Sequence, residues 1–287
     1  MVSLYAATDD CVASPAMRHF GAAFTRIVEM SRSRYQMPQL DTPGRLLVGC
    51  AGWSLPKACA DAFPVEGSHL ERYAAVFPTV EINSSFYKPH KPETYARWAA
   101  SVPDDFRFAV KVPRAITHDA RLIDVDDLLD RFQAEAGMLG DKLGCLLVQL
   151  PPRFGFTDAP AHAFFAQLRD RFGCSIAFEG RHASWFSEPA TALLRESGVI
   201  RVIADPAASQ PGLHEPTGDS EAYVRLHGAP RIYYSRYPVE EVAQWRAEFD
   251  ALVASGRKVW CIFDNTAEGA SVPNALELMH GQGVQAI

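Results

Sequence analysis

Residues 145–152 read CLLVQLPP, residues 159–172 read APAHAFFAQLRDRF, and residues 176–182 read IAFEGRH. The two outer runs are short and apolar without alternation, and each stops at prolines or at a cluster of charge. A strand that faces water on one side alternates, whereas one covered on both sides is a continuous apolar run. The stretch between them carries a helical pattern and is long enough for a crossover. Strand, helix and parallel strand are therefore the reading of residues 145–182.

The same unit recurs in both directions along the chain. Further runs are LLVGCAGW (46–53), TVEINSSFY (79–87), RFAVKV (107–112), VIRVIADP (199–206), AYVRLHG (222–228) and KVWCIFDN (258–265), which makes eight. Their starts lie 33, 28, 38, 31, 23, 23 and 36 residues apart, the room a strand, a helix and two loops require. Most gaps hold a helical pattern: HLERYAAVF, PETYARWAASV, VDDLLDRFQAEAGML, EPATALLRES and VEEVAQWRAEFDALVAS, with a last helix near residues 273–280. The sixth gap, residues 207–221, contains Pro211, Gly212, Pro216 and Gly218 and reads as a loop. Eight such units predict an α/β protein built as a (β/α)8 barrel over residues 45–287. An open doubly wound sheet would carry G-x-G-x-x-G after its first strand, and only Gly49 and Gly52 occur there. Ahead of the barrel, residues 1–44 read as an N-terminal helical extension, one amphipathic helix marked by Met17, Phe20, Phe24, Ile27 and Val28 and ended by a turn-rich stretch at 38–44.

Composition narrows the function. The chain of 287 residues is 48% hydrophobic and 22% charged, ordinary globular usage that excludes a disordered or collagen-like chain. A formal charge of −6 and a pI near 5.8 disfavour nucleic acid and anionic membrane surfaces as partners. The six cysteines form no C-x-x-C pair and read as reduced, mostly buried thiols. The first residues lack a secretory pattern and no apolar run approaches the roughly 18 residues of a membrane span, so a cytoplasmic, soluble protein is expected.

In a barrel of this kind the chemistry gathers where strands end. Those ends supply Trp53; Glu81, Asn83, Phe86 and Tyr87; Lys111, Thr117 and His118; Gln149; Glu179, Arg181, His182 and Trp185; Asp205; Arg225 and His227; Asp264 and Asn265. Residues two apart share a face, so Glu81 pairs with Asn83, Glu179 with Arg181 and Arg225 with His227. An outward charge would meet a helix layer, which places these groups inward at the mouth. Crowded there, they shift one another's pKa values and make general acids and bases. A Glu179–Arg181 or an Asp205–Arg225 pair also reads as a purely architectural ion pair.

Other constellations are weaker. His182, His227, Glu179 and Asp205 are a donor set for zinc or manganese, but no H-E-x-x-H spacing supports them and three cations stand nearby. Ser84, Ser85 or a cysteine as nucleophile lacks a G-x-S-x-G elbow. The loops HGAPRIYYSRY (227–237) and NTAEGASVPNA (265–275) follow strands 7 and 8, where barrels often bind phosphate, with Gly228, Arg225, Arg231 and the helix start at Ser271 as contacts; a plain helix cap beside a solvated loop reads equally well. Trp53, Phe86, Tyr87, Trp185, Tyr233, Tyr234 and Tyr237 crowd the rim for stacking, although Trp53 and Trp185 suit the core as well, and Trp98 and Trp245 read as helix-to-barrel packing.

The motifs GCAGW, YAAVFPTVEINSSFY, WAASVPDDFRFAVKVPRAITH, KLGCLLVQLPPRF, FEGRHASW, YVRLHG and FDNTAEGASVPNA, in order over about residues 46–280, resemble the YecE-like family, or domain of unknown function 72. The resemblance implies a TIM-type barrel, usually soluble and bacterial or archaeal, whose activity is not established. The family's strongest positions fall on the strand-end residues above, with Pro151 and Pro152 added. The chain departs from the family pattern at Gly180, where an aromatic or apolar residue is usual, and in SLPKACADAF after the first strand.

The leading expectation is an enzyme doing acid/base chemistry, hydrolysis or isomerisation, on a small anionic substrate such as a sugar phosphate or nucleotide fragment. Glu179 and Glu81 are the expected base and acid, Asp205 and Asp264 orient them, and His227 or His118 shuttles a proton. Asn83, Tyr87, Lys111, His118, Gln149, Arg181, His182, Trp185, Arg225, Gly228 and Asn265 are expected to bind substrate. No cofactor is predicted. The alternatives are a metal-dependent phosphodiesterase, with a divalent metal at the mouth, and a non-catalytic barrel that binds a nucleic-acid end or a metabolite.

Overall fold

The computed structural model describes residues 44–207 and 216–280. The expected helix in 1–44 and most of the loop at 207–221 lie outside the described residues. Eight strands form one sheet: β1 (Leu46–Cys50), β2 (Thr79–Ile82), β3 (Arg107–Lys111), β4 (Leu143–Gln149), β5 (Ser175–Glu179), β6 (Ile200–Asp205), β7 (Glu221–Leu226) and β8 (Lys258–Phe263). Every hydrogen-bonded pair is parallel, in the order β1-β8-β7-β6-β5-β4-β3-β2. The ring is drawn shut between β1 and β2 by a bridge from Ala51 to Glu81 and by the Gly52 N–H, which donates to the Glu81 carbonyl at 2.9 Å. Gly49 permits that approach, since a Cβ there would collide with the Thr79 carbonyl oxygen. The expected barrel is thus present.

Two apolar layers hold it. Leu47, Ala109, Leu147, Ala177, Val202, Tyr223 and Ile262 fill the inside of the ring. The intervening positions, such as Val80, Val110, Val148 and Val224, face helices whose Leu129, Phe132, Phe164, Phe165, Leu193 and Phe249 cover them. Continuous apolar runs are the consequence of this double burial. Trp98 and Trp245 pack against the outer layer, as their helical spacing predicts.

Local signals place the helices. Ser68 and Glu71 form a reciprocal capping box at the start of His69–Ala74, with Ser68 N–H donating to Glu71 Oε2 at 2.7 Å and Glu71 N–H donating to Ser68 Oγ at 3.3 Å. Proline occupies the first turn of Pro92–Ala100 and of Glu188–Glu196. At the amino-terminal end of the barrel Glu221 accepts from Ser175 Oγ at 2.9 Å, pairs with Lys258 at 2.7 Å and accepts from Trp260 Nε1 at 3.2 Å, a polar plug that leaves the opposite end for the site. Of the described cysteines, Cys50, Cys145 and Cys261 are buried and Cys59 and Cys174 half-buried, all free thiols. Among the described residues no helix is long and apolar enough to cross a membrane.

Candidate functional site

Arg225 is the floor of the mouth. It sits on β7, two residues beyond inward Tyr223, with a side chain 1% exposed. Its Nε and Nη2 donate to Glu81 Oε2 and Oε1 at 3.1 and 2.7 Å, its Nη1 donates to Glu179 Oε2 at 2.7 Å, and Nη2 donates also to Asp264 Oδ2 at 2.9 Å. Tyr223 adds a hydroxyl that donates to Glu81 Oε2 at 2.8 Å, a contact the sequence reading missed although Tyr223 shares a face with Arg225. Three carboxylates from β2, β5 and the end of β8 thus converge on one guanidinium whose planar fork suits them. Burial opposes ionisation of Glu179, but Arg225 and Arg181 overcome it and hold the carboxyl well below the usual range. Asp264 is likewise lowered against its own burial by Arg225 and His227.

His227 stands one layer above. Its Nδ1 lies 3.0 Å from Asp264 Oδ2, and an ionised carboxylate only accepts, so Nδ1 carries the proton and donates. In the neutral ring Nε2 is then a bare acceptor. That atom is buried, makes no hydrogen bond with a described residue and stands 3.7 Å from Glu179 Oε1. His227 is itself one of the residues that wall a cavity of about 450 Å³, with Pro152, Glu179, Arg181, His182, Ala183, Pro206, Ile232 and Tyr233. The size suits a small ligand. Arg181 Nε donates to Glu179 Oε1 at 2.9 Å and its Nη2 donates to the Tyr233 hydroxyl at 3.2 Å, which fixes the guanidinium in the wall. His182 Nδ1 accepts from the Ser184 N–H at 3.2 Å, so in the neutral ring its Nε2 bears the proton. The wall offers donors from Arg181 and His182.

A second side of the mouth holds Lys111, half-buried at the end of β3 with Nζ 4.4 Å from the centre of the Phe86 ring. Burial, then Arg225, lower its pKa to about 8. His118 meets the same ring edge-on at 5.0 Å and is lowered by burial and by Lys111 and Arg114. Gln149 Nε2 donates to Glu179 Oε1 at 3.2 Å, and Asn83 follows β2 with its Oδ1 buried and unpartnered among the described residues.

The family described as "Protein of unknown function DUF72" matches residues 47–286. The chain belongs to the DUF72 family. It is similar to the UPF0759 protein YecE of Escherichia coli (strain K12), 36% identical over 183 residues, a match that covers 62% of this chain and 64% of YecE, less than two thirds of that protein's length. The UPF0759 protein YunF of Bacillus subtilis (strain 168) is 24% identical over 264 residues, covering 82% of this chain and 93% of YunF. In structure it resembles a DUF72 family protein of Thermotoga maritima MSB8, with a TM-score of 0.68, 25% identity and coverage of 82% and 98% of the two chains. A DUF72 family protein of Enterococcus faecalis V583 gives 0.69 at 24% identity, covering 82% and 94%.

Several expected site residues of this DUF72 barrel lie elsewhere. Asp205 follows inward Ala204 and so points outward; its carboxylate accepts from the Tyr237 hydroxyl at 2.8 Å and makes no pair with Arg225. Trp185 is core, with Nε1 donating to the Phe154 carbonyl at 2.9 Å. Asn265 is buried and donates to Ser235 O and Asn274 Oδ1, both at 3.0 Å, tying the β7 loop to the last helix (Ser271–His280). The Gly228 N–H donates to the Tyr237 hydroxyl at 2.9 Å, so the backbone donor needed for phosphate at this loop is taken. Arg231 stacks on Tyr234, 3.6 Å from its ring centre. Tyr87 is 78% exposed and turned out on the short helical turn Ser84–Tyr87. With Asp205 outside, the donor set suggested for a metal does not converge, and among the described residues no group of three or more His, Cys, Asp or Glu is arranged to hold one.

Proposed function

We propose that this DUF72 barrel is an enzyme that transfers a proton on a small anionic substrate, such as a sugar phosphate or nucleotide fragment, during hydrolysis or isomerisation, with His227 as the proton carrier. The single observation behind this reading is the Asp264–His227 pair, in which one ring nitrogen is held by the carboxylate and the other is buried without a hydrogen-bond partner among the described residues, on a histidine that belongs to the cavity wall. A carboxylate that fixes the tautomer of an imidazole prepares its far nitrogen to accept a proton. Glu81 and Glu179, expected as acid and base, fit that work poorly, because both oxygens of each already accept from Arg225, Arg181, Tyr223 or Gln149. They serve instead to hold Arg225 and Arg181 in place. Substrate charge is met by Arg181 and by the Nε2–H of His182.

The test begins with a thermal-shift screen of phosphorylated sugars and nucleotides, in which a ligand at 100 times its Kd stabilises by about 2.7 kcal/mol. On a substrate found this way, His227→Gln should lower kcat about 10²- to 10⁴-fold while the thermal shift persists. Unchanged kcat in that variant would remove His227 from the reaction.

A further inference from the structure

Lys111 is a half-buried amine to which the proton-carrier reading gives no role. Its side chain shares the inward face of β3 with Ala109, and β3 stands opposite β7 in the ring. The ammonium rests on the Phe86 ring and makes no ion pair with a described carboxylate, whereas Arg225 makes hydrogen-bonded ion pairs with three of them. Glu81, Glu179 and Asp264 favour its charge from a distance, and burial, Arg225 and the lack of a direct partner oppose it. Desolvation and an adjacent fixed cation are the two circumstances that make a lysine amine nucleophilic near neutral pH. With a pKa lowered to about 8, more of the side chain is neutral near neutral pH than in an ordinary lysine.

We infer that Lys111 condenses with the aldehyde or ketone group of the substrate to form an imine, which makes the substrate an anionic carbonyl compound. The inference rests on the proposed reading of the mouth as the site of an anionic substrate. The Nζ lone pair adds to the carbonyl carbon, the C=O electron pair moves to oxygen, and the resulting carbinolamine loses that oxygen as water while the C=N bond forms. No electron is gained or lost overall. The protonated imine withdraws electrons from the neighbouring C–H bond and so supplies the acidic proton that a base on the far wall removes.

The experiment treats the full chain with dihydroxyacetone phosphate as probe, adds sodium borohydride, and maps the adduct by peptide mass. One reduced adduct on Lys111 is expected, formed roughly tenfold or more faster than on exposed Lys57, Lys88 and Lys91, suppressed by inorganic phosphate, and absent in Lys111→Arg. The wild-type map stands alone if that variant fails to fold. Adducts confined to the exposed lysines, with the probe still raising the melting temperature, overturn the imine and leave the His227 reading intact. A Lys111 adduct alongside normal turnover by His227→Gln supports the imine and overturns the proton-carrier reading.

Discussion

Arg225 donates to both carboxylate oxygens of Glu81, at 3.1 and 2.7 Å, so strand β7 is tied to strand β2 through the interior of the barrel. Glu81 is 0% exposed, and the pair sits between Glu179 and Asp264. Removing one partner from such a cluster leaves uncompensated buried charge. Arg225→Met should therefore lower unfolding free energy by about 3–5 kcal/mol in urea titrations. A loss below about 1 kcal/mol would show that the carboxylates are not charged together.

The same cluster sets an acid limit. Glu179 and Asp264 have folded pKa values below their unfolded ones, so the stability they contribute is complete above about pH 5 and is lost as pH falls through the unfolded values near about 4 and towards the folded ones. The urea midpoint of the wild type should fall between about pH 5 and 3 more steeply than that of Glu179→Gln. Parallel curves for the two proteins would contradict the assignment.

The barrel was legible because its strands are apolar on both faces and broken by turn residues at even intervals. Strand parity also carried most of the mouth: Glu81, Lys111, Gln149, Glu179, Arg225 and His227 all face inward. Parity failed where an apolar run gives no phase. In VIRVIADP both Ile203 and Ala204 look like core, and only the structure shows that Ala204 takes the inside and Asp205 the outside. Trp185, Asn265 and Gly228 were strand-end residues by position, yet their hydrogen bonds go to backbone carbonyls, to Asn274 and to Tyr237, partners set by loop geometry that no spacing encodes.

Gly180 explains one departure from the family pattern. A Cβ there would lie 2.7 Å from the Trp185 Cβ and 2.8 Å from Phe178 Cε1, so packed aromatic rings fill the room that a side chain would use. Gly180→Ala should destabilise by about 1–3 kcal/mol through overpacking. Calorimetry that finds the variant at or above wild-type stability would contradict this packing.

Tyr233 reports on the wall. Its hydroxyl accepts from Arg181, and its ring meets His227 edge-on at 5.6 Å. Tyr233→Phe keeps the ring and removes one hydrogen bond that orients the guanidinium, so the Kd of a screened phosphorylated ligand should rise about 2- to 10-fold, while the melting temperature stays unchanged. An unaltered Kd, measured by calorimetric titration, would place the ligand away from Arg181.

The most direct test of the proton-carrier reading is 15N NMR of the His227 ring, with and without a saturating phosphorylated ligand from the thermal-shift screen. The account predicts a protonated Nδ1 that stays fixed beside Asp264 and an Nε2 resonance that moves when ligand binds. A ligand that stabilises the fold yet leaves both ring nitrogens of His227 unmoved would contradict it.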